Sequence, residues 1–141
     1  MTRSEQREHA FLMLFRTCFH EEEDLVEQND LYLDEIEREL VEERMPLIKE
    51  TETQFIIHEV ENTRHHLAQI DQAIEEKAKG WKLDRIGRVE LTILRLAIYE
   101  ILFEDSIPAG VSINEAVELA KKYGQDESGA FINGILATFA K

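Results

Sequence analysis

"DRIGRVELTILRLAIYEILF", residues 84–103, is the stretch whose reading decides the fold. Its apolar residues Ile86, Val89, Ile93, Leu94, Ala97, Ile98 and Ile101 recur at three- and four-residue spacing, the period of an α-helix rather than the alternation of a strand. They cover more than half the helix circumference, and a helix so widely apolar is normally a central one, surrounded by others. The spacing predicts such a helix from Asp84 to Phe103.

The same period continues outward in both directions. After the loop "EDSIPAG", the segment "SINEAVELAKKYG", residues 112–124, reads as a helix that starts at Ser112 with a Ser-x-x-Glu capping box to Glu115. Gly124 supplies a left-handed closing residue, and Lys121 and Lys122 lie in the last turn, where cations suit the macrodipole. A final helix is expected from about Ser128, with Phe131, Ile132, Ile135, Leu136 and Phe139 inward.

Toward the N-terminus, "KGWKLDRIGRVE" is punctuated by Gly80 and reads as the join between two halves, with Trp81 and Leu83 stapling the entry to the next helix. Before it come a short helix on Ile70, Ala73, Ile74 and Ala78, and one on Phe55, Ile56, Val60 and Leu67. Pro46 marks the break after a helix from about Leu31 to Arg44, built on Leu33, Ile36, Leu40 and Val41. The first helix runs from Thr2 or Ser4 to Phe19, with Thr2 and Glu5 as a second capping box and Phe11, Leu14, Phe15 and Cys18 as its apolar stripe. The pattern therefore predicts an all-α protein of about seven helices, either one compact domain or two small packed bundles, residues 1–80 and 81–141, sharing an interface. Cys18, the only cysteine, reads as buried packing and excludes an internal disulfide.

Charge narrows the function classes. The chain of 141 residues carries a formal charge of −14, which opposes nucleic-acid binding unless cations are concentrated locally. They are unevenly spread: residues 1–80 hold 9 basic and 21 acidic side chains, and residues 81–141 hold 7 and 9. Twelve of the acids fall within residues 20–44, a band suited to a basic partner or to solubility. No apolar run approaches the ~20 residues of a membrane span and no signal peptide is recognisable, so a cytoplasmic, membrane-free protein is expected.

Catalytic and metal-binding constellations are weak. His58 and His65 stand seven residues apart, wider than the pairs that metal sites favour, so no metal is expected. No nucleophile pattern, phosphate loop or cofactor-binding segment is present, and the chain reads as a non-enzyme without a cofactor. The N-terminal arginines are more informative. Arg3 and Arg7 share a helix face near the positive end of the macrodipole, an unfavourable place for a cation that becomes useful if an oxyanion binds there. Phe131 reads either as core or as a ring exposed beside the Lys121–Lys122 turn; the exposed ring would suit single-stranded RNA, whose bases stack on rings while cations hold the backbone.

"REHAFLMLF", "WKLDRIGRVELTILRLAIYEI", "IPAGVSINEAVELAKKYG" and "ESGAFINGIL", in that order, resemble the NusB family of bacterial transcription antitermination factors. The resemblance is dense from Trp81 to Leu136, thinner at residues 7–15, and not visible by eye between about 20 and 66. It implies a non-enzymatic, all-helical protein that binds boxA RNA of nascent ribosomal RNA transcripts with the ribosomal protein NusE, within an antitermination complex on RNA polymerase. By that similarity Arg3 and Arg7 belong to an N-terminal basic motif, and Lys121, with its neighbour Lys122, Glu127 and Phe131 lie close to RNA. Phe15, Asp84 and Glu90 match the surface that meets NusE.

One departure stands out. Family members often open with adjacent arginines, whereas here Ser4, Glu5 and Gln6 separate Arg3 from Arg7, implying weaker and less salt-dependent RNA binding with NusE supplying affinity. Two other readings are a protein-binding adaptor with little RNA affinity and the NusB-like domain of an RNA methyltransferase, whose α/β cofactor segment these residues do not contain. Some family members self-associate, so either a monomer or a homodimer fits the resemblance.

Overall fold

The computed structural model describes residues 1–17, 25–78 and 80–140. Among them are seven α-helices: α1 (Arg3–Thr17), α2 (Leu25–Glu42), α3 (Glu50–His65), α4 (Leu67–Lys77), α5 (Arg88–Phe103), α6 (Ala109–Tyr123) and α7 (Ser128–Ala137), with one 3-10 turn at Leu83–Arg85. The all-α expectation holds. Contacts divide the chain into two compact units, Met1–Val60 and Glu61–Lys141, so the join expected near residue 80 falls inside the second unit. Cys18 and Phe19 lie outside the described residues.

In the first unit the Thr2–Glu5 capping box is formed in both directions. The Thr2 N–H donates to Glu5 Oε1 at 2.9 Å and the Glu5 N–H donates to Thr2 Oγ1 at 3.1 Å. The Thr2 N–H, bonded to the ionised form and helped by the Thr2 side chain, holds the Glu5 carboxyl below its ordinary value of 4.5. Ala10, Phe11, Met13 and Leu14 of α1, Ile36 of α2, and Ile56 and Val60 of α3 are buried. Between α1 and α2, the Arg16 guanidinium donates to both oxygens of Glu35 at 3.0 and 3.2 Å, and His9 Nδ1 meets the Tyr32 hydroxyl at 2.9 Å.

Helix α2 begins six residues earlier than expected. The start was expected at about Leu31, but a carboxylate near a helix N-terminus is favourable, and Glu27 stands in the first turn. At its other end Arg44 adopts φ +57°. The Met45 N–H reaches Leu40 O at 2.8 Å and the Arg44 N–H reaches Val41 O at 3.2 Å, the paired bonds of a Schellman closure, made here without glycine. Val41, expected inward, is 63% exposed.

In the second unit α5 is central as predicted: it packs against α4, α6 and α7, and Ile93, Leu94 and Ile98 are buried. Its start is shifted. Residues 83–85 form the 3-10 turn and Gly87 is the N-cap, because a glycine inside a helix costs about 1 kcal/mol and is better placed at its end. Leu67 opens α4 instead of closing α3. Arg95 of α5 grips Asp71 of α4 through two 2.8 Å bonds, and the His66 ring stacks on Phe103 at 3.9 Å between centroids.

Two expectations for α6 are overturned. The helix starts at Ala109 behind Pro108, whose missing N–H costs nothing at a helix start. Ser112 therefore lies inside the helix, 2% exposed, and its hydroxyl donates to Glu100 Oε1 of α5 at 2.7 Å. Gly124 is extended, with φ −93° and ψ −164°, so left-handed geometry is not what requires glycine. A Cβ there would lie 2.6 Å from Ser128 Cβ and 2.8 Å from the Ala120 carbonyl oxygen. Close approach of the α6–α7 turn is the reason.

Candidate nucleic-acid interface

At the start of α1 both arginines turn to the ring of Phe55 on α3. The Arg3 guanidinium carbon lies 3.8 Å from the ring centroid and that of Arg7 lies 5.7 Å away. Arg3 is exposed and donates to Gln6 Oε1 at 2.7 Å. Arg7 is only 6% exposed. The two cations thus differ in kind: Arg3 can meet a phosphate from solvent, whereas Arg7 is chiefly a packed side chain whose stem and fork are held in place. Nearby, the N-terminal ammonium meets Glu52 at 2.5 Å, and the Lys49 N–H donates to Glu52 Oε1 at 2.8 Å. Those donors, the ammonium first, hold the Glu52 carboxyl below 4.5.

Phe15 is half-buried, its ring 6.1 Å from that of Phe11. In the second unit Asp84 is exposed on the 3-10 turn, and Glu90 is half-buried in the first turn of α5, its carboxylate folded back against Gly87. Phe15 and this acidic pair thus belong to different units.

The other RNA candidates all lie in the second unit. Lys121 and Lys122 are exposed in the last turn of α6. Lys121 Nζ is 3.4 Å from Glu118 Oε1, both largely in solvent, a pair of little energetic weight that a phosphate can displace. Lys122 Nζ lies 5.5 Å from the Tyr123 ring centroid. The α6–α7 turn is fixed by the Gln125 N–H donating to Ser128 Oγ at 2.9 Å, and exposed Glu127 is the N-cap position of α7.

Helix α7 separates two surfaces. On one flank Lys121, Asn114, Gln125, Gly129 and Asn133 line a groove of about 620 Å³ between α6 and α7. Gly129 lets the helices approach: a Cβ there would sit 3.7 Å from Val117 and 3.9 Å from Lys121. Phe131 does not line this groove. It is half-buried, and its ring packs T-shaped against that of Trp81, 5.3 Å between centroids with an interplanar angle of 69°. Lys121 and Phe131, expected side by side, thus flank α7 separately.

The sequence reading missed Trp81 and the carboxamides. Trp81 looked like a helix staple, yet it is 50% exposed; the signal available was its position between Gly80 and the cations Lys82 and Arg85. Among the described residues no group of three His, Cys, Asp or Glu side chains is placed to hold a metal ion. Nor is any helix there long and apolar enough to cross a membrane.

Comparison with known proteins places this arrangement. The family model described as the NusB family matches residues 4–141. The transcription antitermination protein NusB of Agathobacter rectalis is 53% identical over 140 residues, covering 99% of this chain and 100% of that protein. The corresponding protein of Lachnoclostridium phytofermentans is 45% identical, with 97% of each chain covered. Among solved structures, NusB of T. maritima superposes with a TM-score of 0.84 at 34% identity, covering 99% of this chain and 91% of that one. A chain from the structure of the antitermination factors NusB and NusE in complex with double-stranded RNA gives 0.74 at 30%, covering 99% and 97%. Matched over nearly its whole length by family, relatives and fold, this chain belongs to the NusB family.

Proposed function

We propose that this chain is a transcription antitermination factor that binds boxA-type single-stranded RNA of nascent ribosomal RNA transcripts together with NusE, and so helps RNA polymerase resist termination. The observation that carries this reading is the full-length likeness to proteins named for antitermination, one of them solved with NusE and RNA. The geometry suits it. In a chain of charge −14, Arg3 at the start of α1 and Lys121 and Lys122 at the end of α6 are exposed cations able to contact phosphates. Arg7, Glu127 and Phe131 complete the proposed RNA-binding set, and Phe15, Asp84 and Glu90 the proposed NusE-binding set. The protein acts by binding, without catalysis or cofactor, in the cytoplasm.

Transcription reconstituted on templates with intact or scrambled boxA, with and without this protein, tests the reading. Terminator read-through that needs both the protein and an intact boxA is expected. Read-through unchanged when the protein is omitted contradicts it. A protein-binding adaptor is the second reading, favoured by the acidic α2 with its exposed Val26, Leu31 and Val41.

A further inference from the structure

We propose that Trp81 is a stacking platform for one unpaired nucleobase of the single-stranded RNA, with Lys82 and Arg85 holding the adjoining phosphates; this rests on the RNA-binding function proposed above. A tryptophan ring 50% exposed is a large apolar surface left in water, and base–aromatic stacking would cover it.

The ring is held ready. The Trp81 N–H donates to Ala78 O at 3.0 Å, just past the end of α4. Gly80 turns the chain with φ +87°, and nothing lies within 4 Å of where its Cβ would be, which leaves open space next to the tryptophan. After it the 3-10 turn is closed by the Arg85 N–H on Lys82 O at 2.9 Å, and buried Ile86 anchors the exit. Phe131 braces the ring in a T-shaped contact, 5.3 Å between centroids. Stacking therefore requires little ordering of the protein.

Two hollows adjoin Trp81, and their charges differ. One, of about 450 Å³, is lined by Gly80, Trp81, Lys82, Asp84 and Arg85, two cations against one acid. The other, of about 490 Å³, is lined by Glu75, Trp81, Lys82, Leu83 and Asp84, two acids against one cation. A polyanion enters the first and is repelled by the second. The cations beside the ring favour RNA over an apolar protein anchor.

Trp81 is the only tryptophan, so its emission reports on this ring alone. The full chain is titrated with a boxA-type single-stranded RNA while tryptophan emission and the anisotropy of the labelled RNA are followed in parallel, with and without NusE, using Trp81→Phe to subtract any NusE emission. Emission should be quenched along the anisotropy curve. Trp81→Ala should weaken binding by about 5- to 150-fold, from a stacking contribution of roughly 1–3 kcal/mol. Trp81→Phe, which keeps a ring and guards against a folding defect, should stay within about threefold, retaining most of the stacking surface. Lys82→Ala and Arg85→Ala should each reduce the slope of log affinity against log salt by about 0.7. Binding seen by anisotropy with unchanged emission and an unaffected Trp81→Ala variant overturns the platform but leaves RNA binding standing. Quenching by NusE alone, without RNA, also overturns it and assigns the ring to a protein contact. No anisotropy change with or without NusE overturns the RNA reading itself, and the platform with it.

Discussion

Replacing Ser112 by aspartate separates two accounts of the same residue. If Ser112 capped α6, as its spacing to Glu115 suggested, aspartate would serve about equally well, since Ser and Asp rank together as N-caps. In the structure the hydroxyl is instead buried and donates at 2.7 Å to Glu100, itself 1% exposed. Aspartate there removes the donor and sets a second carboxylate against the first, a change that should cost about 3–5 kcal/mol, comparable to leaving a buried charge uncompensated. Ser112→Ala removes only the donor and should cost about 1–3 kcal/mol. Urea unfolding followed by far-UV circular dichroism measures both. A double-mutant cycle of Ser112→Ala with Glu100→Gln should give a coupling of about 0.5–3 kcal/mol. Wild-type stability in the aspartate variant, or strictly additive effects in the cycle, would refute the buried pair.

Arg44, at φ +57°, carries a left-handed penalty that glycine lacks, so Arg44→Gly should raise stability by about 1 kcal/mol in urea unfolding; a loss would show that the arginine side chain outweighs its backbone. The carboxyls of Glu5, Glu35 and Glu52 all lie below 4.5 in the folded chain, chiefly through hydrogen bonds from Thr2, Arg16 and the N-terminus respectively. Their stabilisation is fully present above the unfolded value and is lost as pH falls through the lower folded values. The urea midpoint should therefore drop below pH 4.5, and less steeply in Glu52→Gln; identical slopes would contradict this. Arg3→Ala should cost no more than about 1 kcal/mol of stability while lowering the salt slope of RNA binding by about 0.7. Arg7→Ala, which strips a buried side chain, should cost about 2 kcal/mol. Equal effects on unfolding would refute the distinction.

Much of this was legible in the sequence, for identifiable reasons. Period-3.6 stripes such as Ile93, Leu94, Ala97 and Ile98 survive in three dimensions because burial enforces them, so the number and order of helices could be read directly. Helix ends were less legible, because local signals compete there with tertiary demands. Ser112 and Glu115 have capping-box spacing, yet a buried carboxylate on α5 needed the serine more, and Pro108 could open the helix at no cost in hydrogen bonds. Gly124 was recognised as necessary for the wrong reason, since the approach of Ser128 and Ala120 cannot be seen in a one-dimensional pattern. The helix expected from about Leu31 begins at Leu25, where Glu27 suits the first turn. At the site, residue types were legible and accessibility was not. Arg3 and Arg7 looked equivalent, but Phe55 recruits both and leaves only Arg3 exposed. Lys121 and Phe131 looked adjacent, but Lys121 lines the α6–α7 groove while Phe131 packs against Trp81. Trp81 was read as packing because a tryptophan beside a helix start usually is.

The central claim, selective boxA binding that depends on NusE, is tested most directly by the anisotropy of labelled boxA RNA titrated with this protein at two salt concentrations, with and without NusE, against a scrambled RNA. With Arg3 and Arg7 the only lysines or arginines among its first fifteen residues, the protein alone should bind weakly and with a shallow salt dependence, and NusE should raise the boxA affinity at least tenfold, about 1.4 kcal/mol, while leaving the scrambled RNA weak. Equal affinities with and without NusE, or equal affinities for boxA and scrambled RNA, would contradict the account.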